Sequence, residues 1–449
     1  MGALVRRYGG AYLQRYPAGP GLTRTLRALA ACRTAALGGH VSRCDHCGEV
    51  TYHYHSCGNR HCPQCGGTKR ATWLAQRSAE LLPVPYFHVV FTLPHQLSAL
   101  ALGQRQLLYG LLFDAAAATL LEVAADPRHL GARLGVLMVL HTWGQQLQHH
   151  PHVHAVVPGG GLACSSGGVA AGAPVWVASR PNFLLPVKVL GRVFRGKYLA
   201  GLRQAYQRGD LRFAGSTADL AAPAAWSALL RQLYETDWVV YAKEPFGGPE
   251  PMLKYLTRYT HRVAIGNGRL VRLAEDRVTF TWKDYADACQ VKELTVEAVE
   301  FVRRFALHIL PPGFVRIRHY GLLAHRGRHE RLAQCRELLA ATAPPAERPG
   351  VAAAGAAAEG AESPALAQRW SPEDRWRLPL RLAALLLVLA EAAALPPAVA
   401  AAGVAWVVTP LATPEWFCRT CGLGRLETIW RADRPTGPEL ESTCPWDSS

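Results

Sequence analysis

The stretch GVLMVLHTWGQQLQHHPHVHAVVPGGGL, residues Gly135–Leu162, decides the fold. Two apolar, β-branched runs, Gly135–Trp143 and His152–Pro158, enclose a short polar segment, the pattern of two neighbouring buried strands. In the second run His152 and His154 flank Val153. Alternate residues of a strand share a face, so both imidazoles point one way while Val153 points into the core. The pair is a compact two-ligand platform for a metal ion. His149 and His150 are expected in the loop before it, and Gly159–Gly161 either turn the chain back or let backbone approach a bound partner. Alone, His-x-His is a weak pattern that a structural histidine pair satisfies equally well.

Working outward, YFHVVFTLP (Tyr86–Pro94) reads as a third buried strand, and Arg262–Tyr285 as successive strands with a hairpin at Gly266-Asn267-Gly268. Helical patterns lie between and around them in RQLLYGLLFDAAAATLLEVAA, PMLKYLTRYTHR and TVEAVEFVRRFALHIL. The mixture predicts an α+β fold, an antiparallel sheet flanked by helices. Four regions are expected: a Cys-, His- and Arg-rich head over 1–82, a sheet-and-helix domain over 83–340, an Ala/Pro/Gly-rich linker over 341–368 and a poorly defined tail over 369–449.

Lys and Arg total 49 against 33 Asp and Glu, a net charge of +16, which favours a polyanionic partner such as nucleic acid. No secretory signal is expected at the start. The most apolar stretch, 381–408, is interrupted by Glu391 and Pro396-Pro397, so no membrane span is expected and the chain reads as cytoplasmic.

Six of the twelve cysteines fall between Cys32 and Cys65. Two C-x-x-C pairs, Cys44/Cys47 and Cys62/Cys65, stand fourteen residues apart and predict a four-thiolate zinc site. Cys32, His40, Cys57 and His61 supply ligands for a possible second site. Arg43, Arg60, Lys69 and Arg70 give this head a surface suited to DNA. The late CRTC, with Cys418 and Cys421, has the form of half a zinc ribbon, with Cys444 as its one late partner.

In KYLTRYTHR, Tyr255 and Tyr259 are four apart, so a helix places both phenols on one face. A phenol of pKa ~10 is a poor nucleophile. It can attack a phosphodiester when a metal polarises the phosphate and offsets charge in the transition state. By spacing alone, an aromatic stripe packed on a sheet explains the pair as well. The run RIRHYGLLAHRGRHER, Arg316–Arg331, offers Arg316, Arg318, Arg326 and Arg328 to phosphates, and Lys283 lies within TWKDY.

Taken in order, CRTAALGGHV, SCGNRHCPQC, FHVVFTLPHQL, HTWGQQLQHHPHVHAVVPGGGL, WVVYAKEPFGGPEPMLKYLTRYTHRVAIGNGRL, TFTWKDYAD and LPPGFVRIRHYGLLAHRGR make the chain resemble, from about residue 30 to 336, the rolling-circle transposases of the insertion-sequence-ninety-one type. These are HUH (His-hydrophobic-His) single-strand DNA endonucleases with two tyrosines and a zinc-binding head. The resemblance implies the HUH fold and a catalytic domain over 83–340. It implies that His152 and His154 bind a catalytic Mg2+ or Mn2+, and that Tyr255 and Tyr259 form 5′-phosphotyrosine intermediates. For the third metal ligand His141 comes first, Gln145 second and His261 third. The implied partners are single-stranded DNA at transposon ends and target, and a host helicase, because the chain has no G-x-x-x-x-G-K-[ST] motif. The chain departs from the family at Gly58, Gly66 and Gly266, none of them a ligand or nucleophile, and in the tail. A DNA-binding zinc protein without catalysis, and a replication initiator or relaxase with the same site, are the competing readings.

Overall fold

The computed structural model describes residues 1–164, 172–246, 252, 263–342, 418, 420, 421, 423 and 425–432, and for 66–71, 244, 246, 342, 430 and 432 the backbone only. Tyr255, Tyr259, His261, the 341–368 linker beyond residue 342, the 381–408 stretch and Cys444 lie outside the described residues.

In chain order the described elements are α1 (Gly2–Arg15), α2 (Pro20–Ala31), β1 (Gly39–Cys44), β2 (Val50–Tyr54), α3 (Gly66–Ser78), β3 (Tyr86–Thr92), α4 (Ser98–Gly103) and α5 (Arg105–Ala125). β4 (Gly135–Trp143), β5 (His149–Pro158), β6 (Gly160–Cys164), β7 (Pro174–Ala178), α6 (Val187–Gln207), α7 (Pro223–Glu235) and β8 (Val240–Phe246) follow. The last are β9 (Leu270–Ala274), β10 (Arg277–Asp284), β11 (Gln290–Glu297), α8 (Ala298–Ala306), β12 (Ile317–Gly321), α9 (Arg328–Thr342) and β13 (Leu426–Ala432). The fold class is α+β.

A five-stranded sheet of order β12-β4-β5-β3-β8 is antiparallel at every pairing. β4 and β5 are apolar on both sides because they lie inside this sheet. On one face Phe87, Val89 and Phe91 of β3, Met138 and Leu140 of β4, and Val153, Ala155 and Val157 of β5 pack against Leu112 and Phe113 of α5 and Phe194 and Tyr198 of α6. Each fully buried Leu, Val or Phe contributes ~1.5–3 kcal/mol of transfer free energy. Among the described residues α5 alone is long and apolar enough to cross a membrane, but it is a core helix, largely buried in this layer. On the opposite face Tyr86, Leu137, Val139 and Val156 meet Met252, Leu322, Leu332 and Cys335.

The two N-terminal helices do not stand apart. α1 and α2 share a second core with the 263–309 region: Val5, Tyr8, Leu26 and Leu29 join Ile265, Phe280, Phe301 and Phe305. That core also holds Leu147 from the β4–β5 turn, with Trp143 against it. By chain contacts, Cys44–Glu49 and Pro344–Glu427 form one unit, and the rest of the chain another.

Three local expectations change. β5 begins at His149, so His149 and His150 belong to the strand. The register shifts between His141 and Trp143, where β5 carries one residue more than β4, and Pro151, which has no N–H to pair, sits in that bulge. The hairpin is not at Gly266-Asn267-Gly268, where the chain makes a single 3-10 turn, Asn267–Arg269. It lies between β9 and β10, where Glu275 and Asp276 both take positive φ (50° and 53°). The glycine run neither reverses the chain nor stands open: it leads from β5 into a second sheet, where β6 pairs with β7, and a Cβ on Gly161 would collide with the carbonyl of Arg133.

Candidate metal centre and cysteine clusters

The imidazoles of His141, His152 and His154 each present a nitrogen within 4.8 Å of the others. β4 and β5 place them: His141 is the cross-strand partner of His152, and His154 faces Val139. Ring centroids are 5.5 Å apart for His141–His152, 4.4 Å for His141–His154 and 4.8 Å for His152–His154. Of the three residues weighed as a third ligand, His141 is the one brought together with the pair among the described residues. Trp143 stacks on it at 4.3 Å.

Hydrogen bonds orient two of the rings. His152 Nδ1–H donates to the carbonyl of His150 at 2.7 Å, leaving Nε2 for the cluster. His154 Nδ1 lies 2.7 Å from Nε2 of His88, a buried residue of β3, so His154 also has Nε2 to offer. Burial holds His152 down to about 4, and burial with the His141, His152 and His88 rings keeps His154 well below the ordinary imidazole range. Neutral rings at physiological pH are the form that ligates a cation. His88 was not anticipated; its signal in the sequence is a polar residue on an apolar strand paired with β5.

The other two histidines of the motif are not in the cluster. His149 turns to the helical face, with Nδ1 2.6 Å from Ser98 Oγ and Nε2 2.8 Å from Tyr109 Oη. His150 is exposed. Gln145 is engaged elsewhere: its amide donates to Tyr285 Oη at 3.2 Å and accepts from Lys283 N–H at 3.4 Å. The chain on either side of the expected tyrosines is described. Met252, three residues before Tyr255, is buried in the apolar cluster on the sheet face that bears the imidazoles, the cluster that includes Val139 and Val156. Val263, Ala264 and Ile265, just after His261, are buried in the core that contains Leu147 and Trp143.

The cysteines group differently from the expected sets. Cys32, Cys57, Cys62 and Cys65 converge, with Sγ···Sγ distances of 3.5 Å (Cys32–Cys65), 3.6 Å (Cys57–Cys65) and 3.6 Å (Cys62–Cys32). Four sulfurs ~2.3 Å from a zinc ion stand ~3.8 Å apart, so the set fits tetrahedral zinc. Cys44 and Cys47 lie instead with Cys418 and Cys421. The β1–β2 hairpin explains the difference. Its base, where His55 N–H donates to the Gly38 carbonyl and Arg33 N–H to the His55 carbonyl, brings Cys57 to Cys32. Cys44 ends β1 and Cys47 belongs to the turn segment between the two strands, not to that base.

His40 and His61 are not ligands of either set. His61 uses both nitrogens: Nδ1 bonds Asn59 Oδ1 at 3.1 Å and Nε2 accepts the Leu310 N–H at 3.1 Å. Burial, then Arg60 and Arg316, lower it to about 3. His40 stacks on its cross-strand partner His53 at 4.9 Å.

Of the expected DNA contacts, several serve the fold. Arg60 donates to the carbonyls of Phe314 (2.6 Å) and Pro311 (2.8 Å). Arg328 is buried and pairs with Glu80 at 2.8 Å, which also pairs with Arg77 at 2.9 Å. Arg318 lies over the Phe113 ring at 4.4 Å and 3.6 Å from Asp114. Burial, then Arg60, lower Arg316 to about 10, so it stays charged. Lys283 and Arg326 are exposed.

Two family models match: one described as "Transposase zinc-binding domain" over residues 4–93, and one described as "Putative transposase" over 135–331. The second contains all three clustered imidazoles. The protein named "Putative transposase y4qJ" of Sinorhizobium fredii is 50% identical over 342 residues, 76% of this chain and 84% of that relative. "Transposase for insertion sequence element IS801" of Pseudomonas savastanoi pv. phaseolicola is 29% identical over 308 residues, 67% of this chain and 70% of that relative. No solved structure matches significantly. With a zinc-binding head, a fitting cysteine quartet and these relatives, the chain belongs to the insertion-sequence-ninety-one type family of transposases.

Proposed function

We propose that this transposase cuts and rejoins single DNA strands through 5′-phosphotyrosine intermediates. The observation that carries the reading is the convergence of His141, His152 and His154 on the sheet face where Met252, three residues ahead of Tyr255, is buried. His141, His152 and His154 would hold a divalent cation, Mg2+ or Mn2+; an all-nitrogen set favours Mn2+ over the harder Mg2+. When bound, the cation polarises the scissile phosphate. Tyr255 or Tyr259 attacks the phosphorus: a tyrosine O–P bond forms, the 3′-oxygen leaves and takes a proton, and the phenol proton passes to solvent. The bond energy stays in the phosphotyrosine, so a later 3′-hydroxyl can reverse the step without ATP. Two tyrosines let one hold the donor strand while the other makes a second cut. The strand is single when cut, so duplex ends need a helicase of the host, and the enzyme works at the bacterial nucleoid in the cytoplasm.

The test is adduct formation. Single-stranded DNA carrying an element end, incubated with the protein and Mn2+ or Mg2+, is expected to give a covalent protein–oligonucleotide band. Tyr255→Phe/Tyr259→Phe, His152→Ala and omission of metal each abolish it. An adduct of equal yield from the double tyrosine variant overturns the reading. Tight DNA binding with no adduct under any metal supports a DNA-binding protein without catalysis.

A further inference from the structure

We infer that Cys44, Cys47, Cys418 and Cys421 form a second zinc site, in which the C-terminal C-x-x-C completes a ribbon begun near the N-terminus. The inference is independent of the nicking chemistry. The matched zinc-binding family model covers residues 4–93 and so reaches only half of this ligand set.

Four observations carry it. The ligand atoms of the four residues all lie within 4.8 Å of one another. Sγ···Sγ distances of 3.8 Å (Cys44–Cys421) and 3.6 Å (Cys47–Cys418) match the ~3.8 Å edge of a zinc–thiolate tetrahedron and far exceed the ~2.05 Å of a disulfide. The first knuckle is shaped for a thiolate, since Cys47 N–H points to Cys44 Sγ at 3.5 Å. The two knuckles are also registered on each other. Asp45 N–H donates to the Arg425 carbonyl at 3.0 Å, and Arg425 N–H donates to Asp45 Oδ1 at 2.7 Å.

Among the described residues, apolar packing does not account for the arrangement. The first knuckle, CDHCGE, contains no Leu, Ile, Val, Met, Phe, Tyr or Trp, and Leu423 beside the second is 71% exposed. Parts of a chain more than 370 residues apart come together here around sulfur. Four thiols in contact cannot all ionise without a cation among them, and a zinc ion supplies both the charge and the cross-link that so small a unit lacks as core. The same ligation explains a local contrast: Cys47 is as exposed as Cys164 and Cys289, yet has three sulfur neighbours.

Zinc content of the purified full-length chain decides the matter. Two zinc ions per chain are expected, falling to one in Cys418→Ser/Cys421→Ser. One zinc in both proteins, or two in both, overturns the assignment. A second measurement uses the unmodified chain. Under native alkylation followed by peptide mass spectrometry, Cys44, Cys47, Cys418 and Cys421 should react more than tenfold more slowly than Cys164 and Cys289. A zinc chelator should release all four together. Modification of Cys418 and Cys421 at the rate of Cys164 overturns the proposal. So does protection that a reductant lifts and a chelator does not, because that is the signature of disulfides.

Discussion

Nε2 of His88 and Nδ1 of His154 lie 2.7 Å apart between β3 and β5, with their rings nearly parallel at 7°. A His154 that gives Nε2 to a metal carries its proton on Nδ1 and donates it to His88. In that state His88 would hold the ring and its tautomer without touching the cation. Loss of such a partner typically weakens metal binding ~10–100-fold. His88→Ala is expected to lower Mn2+ affinity by about that factor by calorimetric titration, with adduct yield recovering at saturating metal. His88→Gln, whose amide can accept the same bond, should recover part of the affinity. Unchanged Mn2+ affinity in His88→Ala excludes the positioning role.

Buried neutral histidines also set the acid limit of the fold. Burial, ahead of any charge, lowers His61, His149 and His308 each to about 3. His308 bonds Thr142 through Nδ1 and the Leu147 carbonyl through Nε2. Because their folded pKa values lie below the unfolded value of ~6.5, the unfolded chain takes up the protons first. Stability from these groups is complete above pH ~6.5 and falls as pH drops towards 3, by at most ~1.4 kcal/mol per pH unit for each histidine. Denaturant titrations between pH 7.5 and 5 should show this slope, and His308→Gln should flatten it. Stability independent of pH over that interval would contradict the account.

The sequence made the sheet and the His152/His154 pair legible because strand alternation is a local rule that needs only the period of two, whereas His141 was singled out through the family resemblance and meets the pair by one antiparallel pairing. Cysteine partnership is not local. C-x-x-C spacing identifies a knuckle but not the second knuckle it meets, so Cys44/Cys47 matched Cys62/Cys65 on paper and Cys418/Cys421 in space. Arginine roles were hidden for the same reason. A guanidinium facing DNA and one bracing the Pro311–Phe314 turn, as Arg60 does, look identical in a basic run. The hairpin moved because the positive φ that a tight turn needs was met by Glu275-Asp276, a weaker signal than glycine.

That division of the arginines is measurable. Lys283 and Arg326 are exposed, whereas Arg60 and Arg328 are spent on protein partners. For single-stranded DNA each neutralised phosphate contributes ~0.7 to the slope of log affinity against log salt. Lys283→Ala and Arg326→Ala should each reduce that slope by about this amount with melting temperature unchanged. Arg60→Ala should lower the melting temperature and leave the slope of the folded fraction intact. The opposite pattern would return Arg60 to the DNA interface.

The Cys32–Cys57–Cys62–Cys65 quartet should matter to more than the head. Cys32 and Cys62 are buried in the same core as Phe280, Phe301 and Leu147, and Leu147 closes the turn between β4 and β5. Loss of a structural zinc removes binding energy that is also folding energy. Cys62→Ser is therefore expected to destabilise the 263–309 region along with α1 and α2, and to loosen the strand ends that carry His141 and His152. Hydrogen exchange would register it as faster exchange in α8 and at the β4–β5 turn, while the α5–α6 layer keeps its protection. Exchange that rises only within residues 1–82 would mean that the shared core does not couple the two.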